Sequence, residues 1–137
     1  AVFAPALLGP AGGPSGGVAI LTRRQVGLSR PTVLVPGRAL GAMVELQRGA
    51  AVAVATVYGH SGSGLGPDNR AILSRLGDWW QEAREAGAEV LVGGDWNLPP
   101  TAVRQAGWLE AVGGRELAPP NPTCRGPSGR AGIRGPA

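Results

Sequence analysis

An α/β fold, with helices packed on mixed β-sheets, is what this sequence predicts, and three observations lead to it. Short β-branched apolar runs recur at residues 18–22, 33–35 and 51–58, the pattern of strands with a buried face. One longer segment, residues 68–85, spaces its apolar residues as a helix does. A further apolar run, Val90-Leu91-Val92, follows that helix directly, giving the strand, helix, strand order of layered α/β proteins.

Taken in order, the Gly/Pro/Ser-rich residues 9–17 suit a surface loop, and residues 1–15 as a whole are expected to be irregular. Val18-Ala19-Ile20-Leu21-Thr22, stopped by Arg23-Arg24, reads as a largely buried strand, and Val33-Leu34-Val35, closed by Pro36-Gly37, as another. From Val44 to Arg48 apolar and polar residues alternate, so one face is wet. Gly49 then turns the chain into residues 51–58, an unbroken apolar run expected as a central strand in a hairpin with its predecessor.

After the glycine-rich loop 59–66, Pro67 and Asp68 give a helix-start signal. Ile72, Leu73, Leu76, Trp79, Trp80 and Ala83 form a wide apolar stripe. Such a stripe demands a core partner, so burial of at least one of the two tryptophans against a sheet is expected. Gly87 supplies the C-cap. Val90-Leu91-Val92 is expected to be a buried strand ending at Gly93-Gly94, and Thr101 to cap a second helix over 101–109 with Trp108 and Leu109 on its inner side. Residues 124–137, rich in Gly, Pro and Arg, read as a disordered tail.

At 137 residues and 43% hydrophobic, the chain sustains one modest core. Its 13 basic residues are all arginine and face 9 acidic ones, for a net charge of +4. Arginine grips phosphate oxygens in a bidentate way, which fits a phosphate or nucleic-acid partner. A GC-rich coding sequence would yield the same residues along with 24 glycines and 13 prolines, so charge alone selects no partner. Cys124 is the single cysteine, which excludes an intramolecular disulfide and a cysteine-based zinc cage. The opening lacks the basic start of a signal peptide and is broken by Pro5. No run approaches the roughly 20 apolar residues of a membrane helix, so a soluble protein without a membrane partner is expected.

The chemistry points to residues 90–97. A strand there delivers Asp95 and Asn97 at its carboxyl end, where ligands of α/β sheets tend to bind. If the chain stays extended through Trp96, both polar side chains point one way and Trp96 the other. A carboxylate and an amide so placed can orient a water or stabilise a phosphorane oxyanion, with Gly93 and Gly94 admitting close backbone approach. The alternative is an Asx-turn in which Asp95 caps the loop before Pro99-Pro100.

Gly16-Gly17-Val18-Ala19-Ile20-Leu21, a strand ending at Tyr58, Asn69-Arg70 opening a Leu/Trp-rich helix, and Gly93-Gly94-Asp95-Trp96-Asn97 come in an order and spacing that resembles the endonuclease/exonuclease/phosphatase superfamily, above all the apurinic-type endonucleases of retroelements. The likeness covers residues 16–97, extending toward 123, so a partial domain over 16–123 is expected. The resemblance implies part of a four-layer α/β sandwich, hydrolysis of phosphodiesters in a nucleic-acid substrate, and Mg²⁺ or Mn²⁺ as cofactor. It carries to Asp95 the positioning or deprotonation of the attacking water, to Asn97 a contact with the scissile phosphate, and to Tyr58 a phosphate-side catalytic contact. His60 and Ser61, just after Tyr58, are candidate substrate contacts. The strands ending at Tyr58 and Gly94 should then share one sheet and open on one rim.

The family's metal-binding glutamate, and its closing Arg-x-Asp and Asp-His motifs, have no counterpart in this sequence, and the principal metal ligand is expected to lie outside it. The activity is therefore expected to be incomplete in this chain. Two other classes compete. One is a non-catalytic remnant of such a domain. The other is a phosphate- or nucleotide-binding α/β module using the 59–66 loop, although Gly62-Ser63-Gly64-Leu65-Gly66 brings its third glycine one residue early for a dinucleotide fingerprint. A base-stacking role for Trp79-Trp80 is a further alternative to core packing.

Overall fold

The computed structural model describes residues 1–117 and residue 119; the tail expected over 124–137 lies outside them. Residues 1–15 are less irregular than the sequence suggests. β1 (Val2–Ala4) pairs antiparallel with β4 (Val18–Ile20), and β2 (Leu7–Leu8) with β3 (Pro14–Ser15). These strands are two or three residues long, too short for an alternation to register in sequence. β4 is also shorter than the expected 18–22: Val18 and Ile20 are buried, while Leu21 lies beyond it, exposed.

The main sheet has the order β5 (Gly27–Val35), β6 (Ala39–Glu45), β7 (Ala51–Tyr58), β8 (Glu89–Asp95). β5, β6 and β7 run antiparallel, and β8 lies parallel to β7. This is the expected mixed sheet with β7 inside it. β5 is longer than residues 33–35 because its register breaks between Ser29 and Thr32, where Arg30 has φ 50° and Pro31 follows. A proline and an irregularity are tolerated on an edge strand, which has no second neighbour to pair with. β6 starts five residues before the alternating segment because its first half, Ala39 to Ala42, is buried on both faces and so shows no alternation. A 3-10 turn, Gln47–Gly49, carries the chain into β7.

The helix α1 (Pro67–Glu85) starts with proline in its first turn and ends at Gly87. There the N–H of Gly87 bonds the carbonyl of Arg84, and that of Ala88 the carbonyl of Ala83, which is the Schellman arrangement. As the crossover between parallel neighbours, α1 covers one face of the sheet. Ile72, Leu76, Trp79 and Ala83 pack there with Ala53, Ala55 and Val57 of β7. The opposite face carries Leu40, Ala42, Val54 and Tyr58 against Ala4, Val18 and Ile20 of the small β1–β4 sheet. Strand β7 thus sends alternate side chains into two cores.

Strand β8 is an edge strand and is only partly buried. Val90 and Val92 pack toward α1, whereas Leu91 is 54% exposed and Asp95 is exposed. The expectation of a fully buried strand fails because the β1–β4 sheet does not extend over it. The second helix is also divided. α2 (Pro100–Gln105) and α3 (Trp108–Ala111) are separated at Gly107, whose φ is 71°. The N-cap of α2 is Pro99 without a side-chain hydrogen bond, so Thr101 lies inside the helix instead of capping it. Trp108 and Leu109 are half-buried, and the indole N–H of Trp108 donates to the carbonyl of Leu73 at 2.8 Å.

Two contacts fix α1 relative to the sheet. Trp79, 9% exposed, lies over Gly41 so closely that a Cβ added there would stand 2.7 Å from the indole ring. Asn69, 2% exposed, pins the loop after β7: its Oδ1 accepts the His60 N–H at 2.8 Å, and its Nδ2 donates to the carbonyls of His60 at 3.0 Å and Gly64 at 2.7 Å. Overpacking predicts that Gly41→Ala lowers the unfolding free energy in urea by about 1–3 kcal/mol; an unchanged value would mean the indole moves aside freely. Asn69→Ala strands three polar groups and is expected to cost about 1–3 kcal/mol. It should also accelerate hydrogen exchange at the His60 amide, and an unaltered exchange rate there would show that the loop does not depend on Asn69.

Candidate functional site

The parallel ladder between β7 and β8 pairs Val57 with Gly94 and Tyr58 with Asp95. Both strands therefore end on one rim, and Tyr58 and Asp95, being in register, lie on the same face of the sheet. That is the face opposite α1, where Tyr58 packs against the second core. Tyr58 is half-buried and Asp95 is exposed. The expected shared rim is present.

Two glycines let these strand ends meet backbone to backbone. Gly94, at φ 141°, lies against the backbone of Val57, and a Cβ there would overlap the Val57 carbonyl oxygen. Gly59 lies in the same way against the Trp96 carbonyl, and its N–H donates to the Asp95 carbonyl at 2.8 Å. Gly93, expected to serve the same purpose, has no atom within 4 Å of its Cβ position. Close approach belongs to Gly94 and Gly59.

Beyond Asp95 the chain turns. Asn97 adopts φ 47°, and its N–H donates to Oδ1 of Asp95 at 3.2 Å, so the Asx-turn is present. The extended path through Trp96 is therefore corrected: Asn97 does not continue the strand's alternation. Its side chain instead donates from Nδ2 to the Gly59 carbonyl at 2.9 Å, bridging the ends of β8 and β7. Trp96 does point inward, packing on the main core with its ring 6.0 Å from that of Trp108. Turn and convergence are compatible, because the turn itself brings the Asn97 amide back over the rim.

Tyr58, His60 and Ser61 line a cleft of about 380 Å³ next to this rim. Its walls include apolar Leu7, Leu8 and Pro36 and polar Ser15 and Arg38. The guanidinium of Arg38 stands 5.1 Å from the centre of the Tyr58 ring and donates to Ser15 Oγ at 2.6 Å. Arg38 does not stand out in the sequence, and Asn69 does so only as part of the Asn69-Arg70 helix opening, with no site role. Arg38 precedes an apolar strand like any turn arginine, and Asn69 sits in a helix whose stripe draws the eye to its hydrophobic members. The spacing of 20 residues between Arg38 and Tyr58 becomes proximity only through the β6–β7 hairpin.

A rim of this kind offers a carboxylate open to water, an amide and a phenol within one small region. The carboxylate can accept a proton from water or orient it, while the amide and hydroxyl can donate to anionic oxygens. Divalent cations such as Mg²⁺ take several oxygen ligands. Among the described residues no three His, Cys, Asp or Glu side chains gather to hold an ion, so these residues do not by themselves make up a metal site. In the 59–66 loop the N–H of Gly59 is taken by the Asp95 carbonyl, that of His60 by Asn69 and that of Gly66 by the Ser63 carbonyl, so these three are not turned toward a ligand. Trp79 is buried, and Trp80 stands edge-on to Trp108 at 5.8 Å and 85°. The tryptophan pair is packing, not a stacking platform. No described helix is long and apolar enough to cross a membrane.

No curated protein and no solved structure matches this chain. The sequence profile of the Endonuclease/Exonuclease/phosphatase family matches residues 2–133, taking in residues 2–15 along with the β7–β8 rim. The enzymes in that family's name are hydrolases of phosphodiesters or other phosphate esters. With nearly its whole length matched and an α/β architecture of mixed sheets and packed helices, this chain belongs to the endonuclease/exonuclease/phosphatase family.

Proposed function

We propose that the chain carries the water- and phosphate-handling rim of an endonuclease-like phosphodiester hydrolase acting on nucleic acid. The observation that supports this most is the in-register pairing of Tyr58 with Asp95, with Asn97 folded back to the same strand ends. In this reading Asp95 orients the attacking water and accepts its proton as the oxygen bonds to phosphorus and the leaving oxygen departs. The Asx-turn hydrogen bond from Asn97 holds one carboxylate oxygen of Asp95, so the carboxyl plane is set before substrate arrives. An amide nitrogen has two N–H groups; one of Asn97's is spent on Gly59, and the other is assigned to a phosphate oxygen. The Tyr58 hydroxyl donates to a second phosphate oxygen, and His60 and Ser61 border the substrate's path.

A divalent cation, Mg²⁺ or Mn²⁺, is part of this reading, and its chemistry would be to offset the charge of the phosphate. Its ligands would come from outside the described residues. The absence of a metal-ligand cluster among those residues favours one competitor, a domain that has kept the fold without the reaction.

The test uses abasic and undamaged duplex DNA with Mg²⁺. The isolated 137-residue chain is expected to cut little or not at all, since loss of some parts of a cooperating site is not made up by the rest. The complete gene product is expected to cut, and its Asp95→Asn variant to be slower by about 100-fold or more. A variant as fast as its parent would contradict the role of Asp95, and a complete product without activity would favour the non-catalytic reading.

A further inference from the structure

We propose that the cleft beside the rim is a subsite for the neighbouring nucleotide of a nucleic-acid strand, with Arg38 holding that nucleotide's phosphate. The subsite is built on the phosphodiester-hydrolase reading above and names a substrate contact that this reading does not include.

Arg38 is half-buried and fixed by neutral partners, the Ser15 hydroxyl at 2.6 Å and the Tyr58 ring at 5.1 Å. Among the described residues no carboxylate lies within ion-pairing distance of it. The remaining residues contain no aspartate or glutamate. A half-buried guanidinium oriented by neutral partners, with no counter-ion among the described residues, leaves N–H groups free for an anion. Its planar fork matches two phosphate oxygens. The cleft's one acidic lining residue, Asp68, is exposed and makes no ion pair with Arg38.

Position and shape say which phosphate this is. The Tyr58 ring carries the guanidinium on its face and belongs to the rim shared with Asp95. A phosphate at Arg38 is thus next to one at the rim, as successive phosphates of one strand are. The cleft measures about 380 Å³, within the range of pockets that take a small ligand. Leu7, Leu8 and Pro36 give it an apolar wall suited to a sugar or base face, which an inorganic phosphate or a small phosphomonoester would leave unused. The loop that closes the cleft at His60 is the one Asn69 pins.

The test is binding of a fluorescently labelled single-stranded oligonucleotide to the complete gene product, followed by anisotropy at several salt concentrations without divalent metal, so that no cutting occurs. Arg38→Gln is expected to weaken binding by about five- to tenfold at low salt and to reduce the slope of log affinity against log salt by about one. Ser15→Ala, which keeps the charge and removes its tether, should weaken binding less and leave the slope alone. Arg75→Gln, on the exposed side of α1 and paired with Asp78 at 3.7 Å, should change neither. Arg38→Gln binding with parental affinity and slope would overturn the subsite, as would a parent protein that does not bind. If Arg38→Gln unfolds, Ser15→Ala decides: parental affinity in that variant counts against the subsite. The companion variant Asp95→Asn separates the two ideas. It should bind at least as tightly as the parent, having lost a negative charge beside the phosphate, and fail to cut; cutting at the parental rate would sink the hydrolytic reading while leaving the Arg38 contact standing on its binding data.

Discussion

The in-register parallel contact between the ends of β7 and β8 is the constraint on which the rest of this structure depends. Gly94 against Val57 and Gly59 against Trp96 leave no side chain between the two backbones. The hydrogen bonds from Gly59 to Asp95 and from Asn97 to Gly59 then close the junction. A side chain at either glycine would push the strand ends apart by more than a hydrogen bond tolerates. Tyr58, Asp95 and Asn97 would no longer face one volume, and effective positioning is lost with displacements of about 1 Å.

The two cores serve this junction from opposite sides. Toward α1, alanines of β7 and the bare Gly41 let the helix sit close, with Trp79 filling the space a side chain on β6 would have taken. Toward the β1–β4 sheet, Val54 and Tyr58 are covered while β8 is left open. That uneven cover explains why Tyr58 is held by packing while Asp95 meets water. The roles proposed for the two residues call for those different surroundings: access to water for a general base, a fixed ring for a phosphate-contacting phenol.

Much of this was legible in the sequence, and the limits have physical causes. Residues 51–58 announce themselves as a long unbroken apolar run, and the α1 stripe as a helical period repeated over several turns. The first half of β6 was hidden because alanine and glycine are poor strand formers, with Gly41 placed where Trp79 needs the space. β1 and β3 were hidden because two or three residues carry no period. At the site, Asp95 and Asn97 were visible as a pair, but their geometry was not: Asn97's φ of 47° replaces alternation by a turn. Arg38 was invisible, since its relation to Tyr58 exists only across a hairpin.

The claim at the centre is that ligand meets this protein at the β7–β8 rim and its adjoining cleft. The groove of about 310 Å³ between α1 and α3, lined by Gly77, Asp78 and Trp108 among others, is the competing surface. The most direct measurement is NMR mapping with a short non-hydrolysable phosphorothioate oligonucleotide, following backbone amides, the Asn97 side-chain amide and the indole N–H signals. The account predicts that shifts concentrate at residues 58–61, at 95–97 including the Asn97 side chain, and at Arg38, with Gly77 and Trp108 unmoved. Shifts centred on Gly77, Asp78 and the Trp108 indole, with the rim silent, would contradict it.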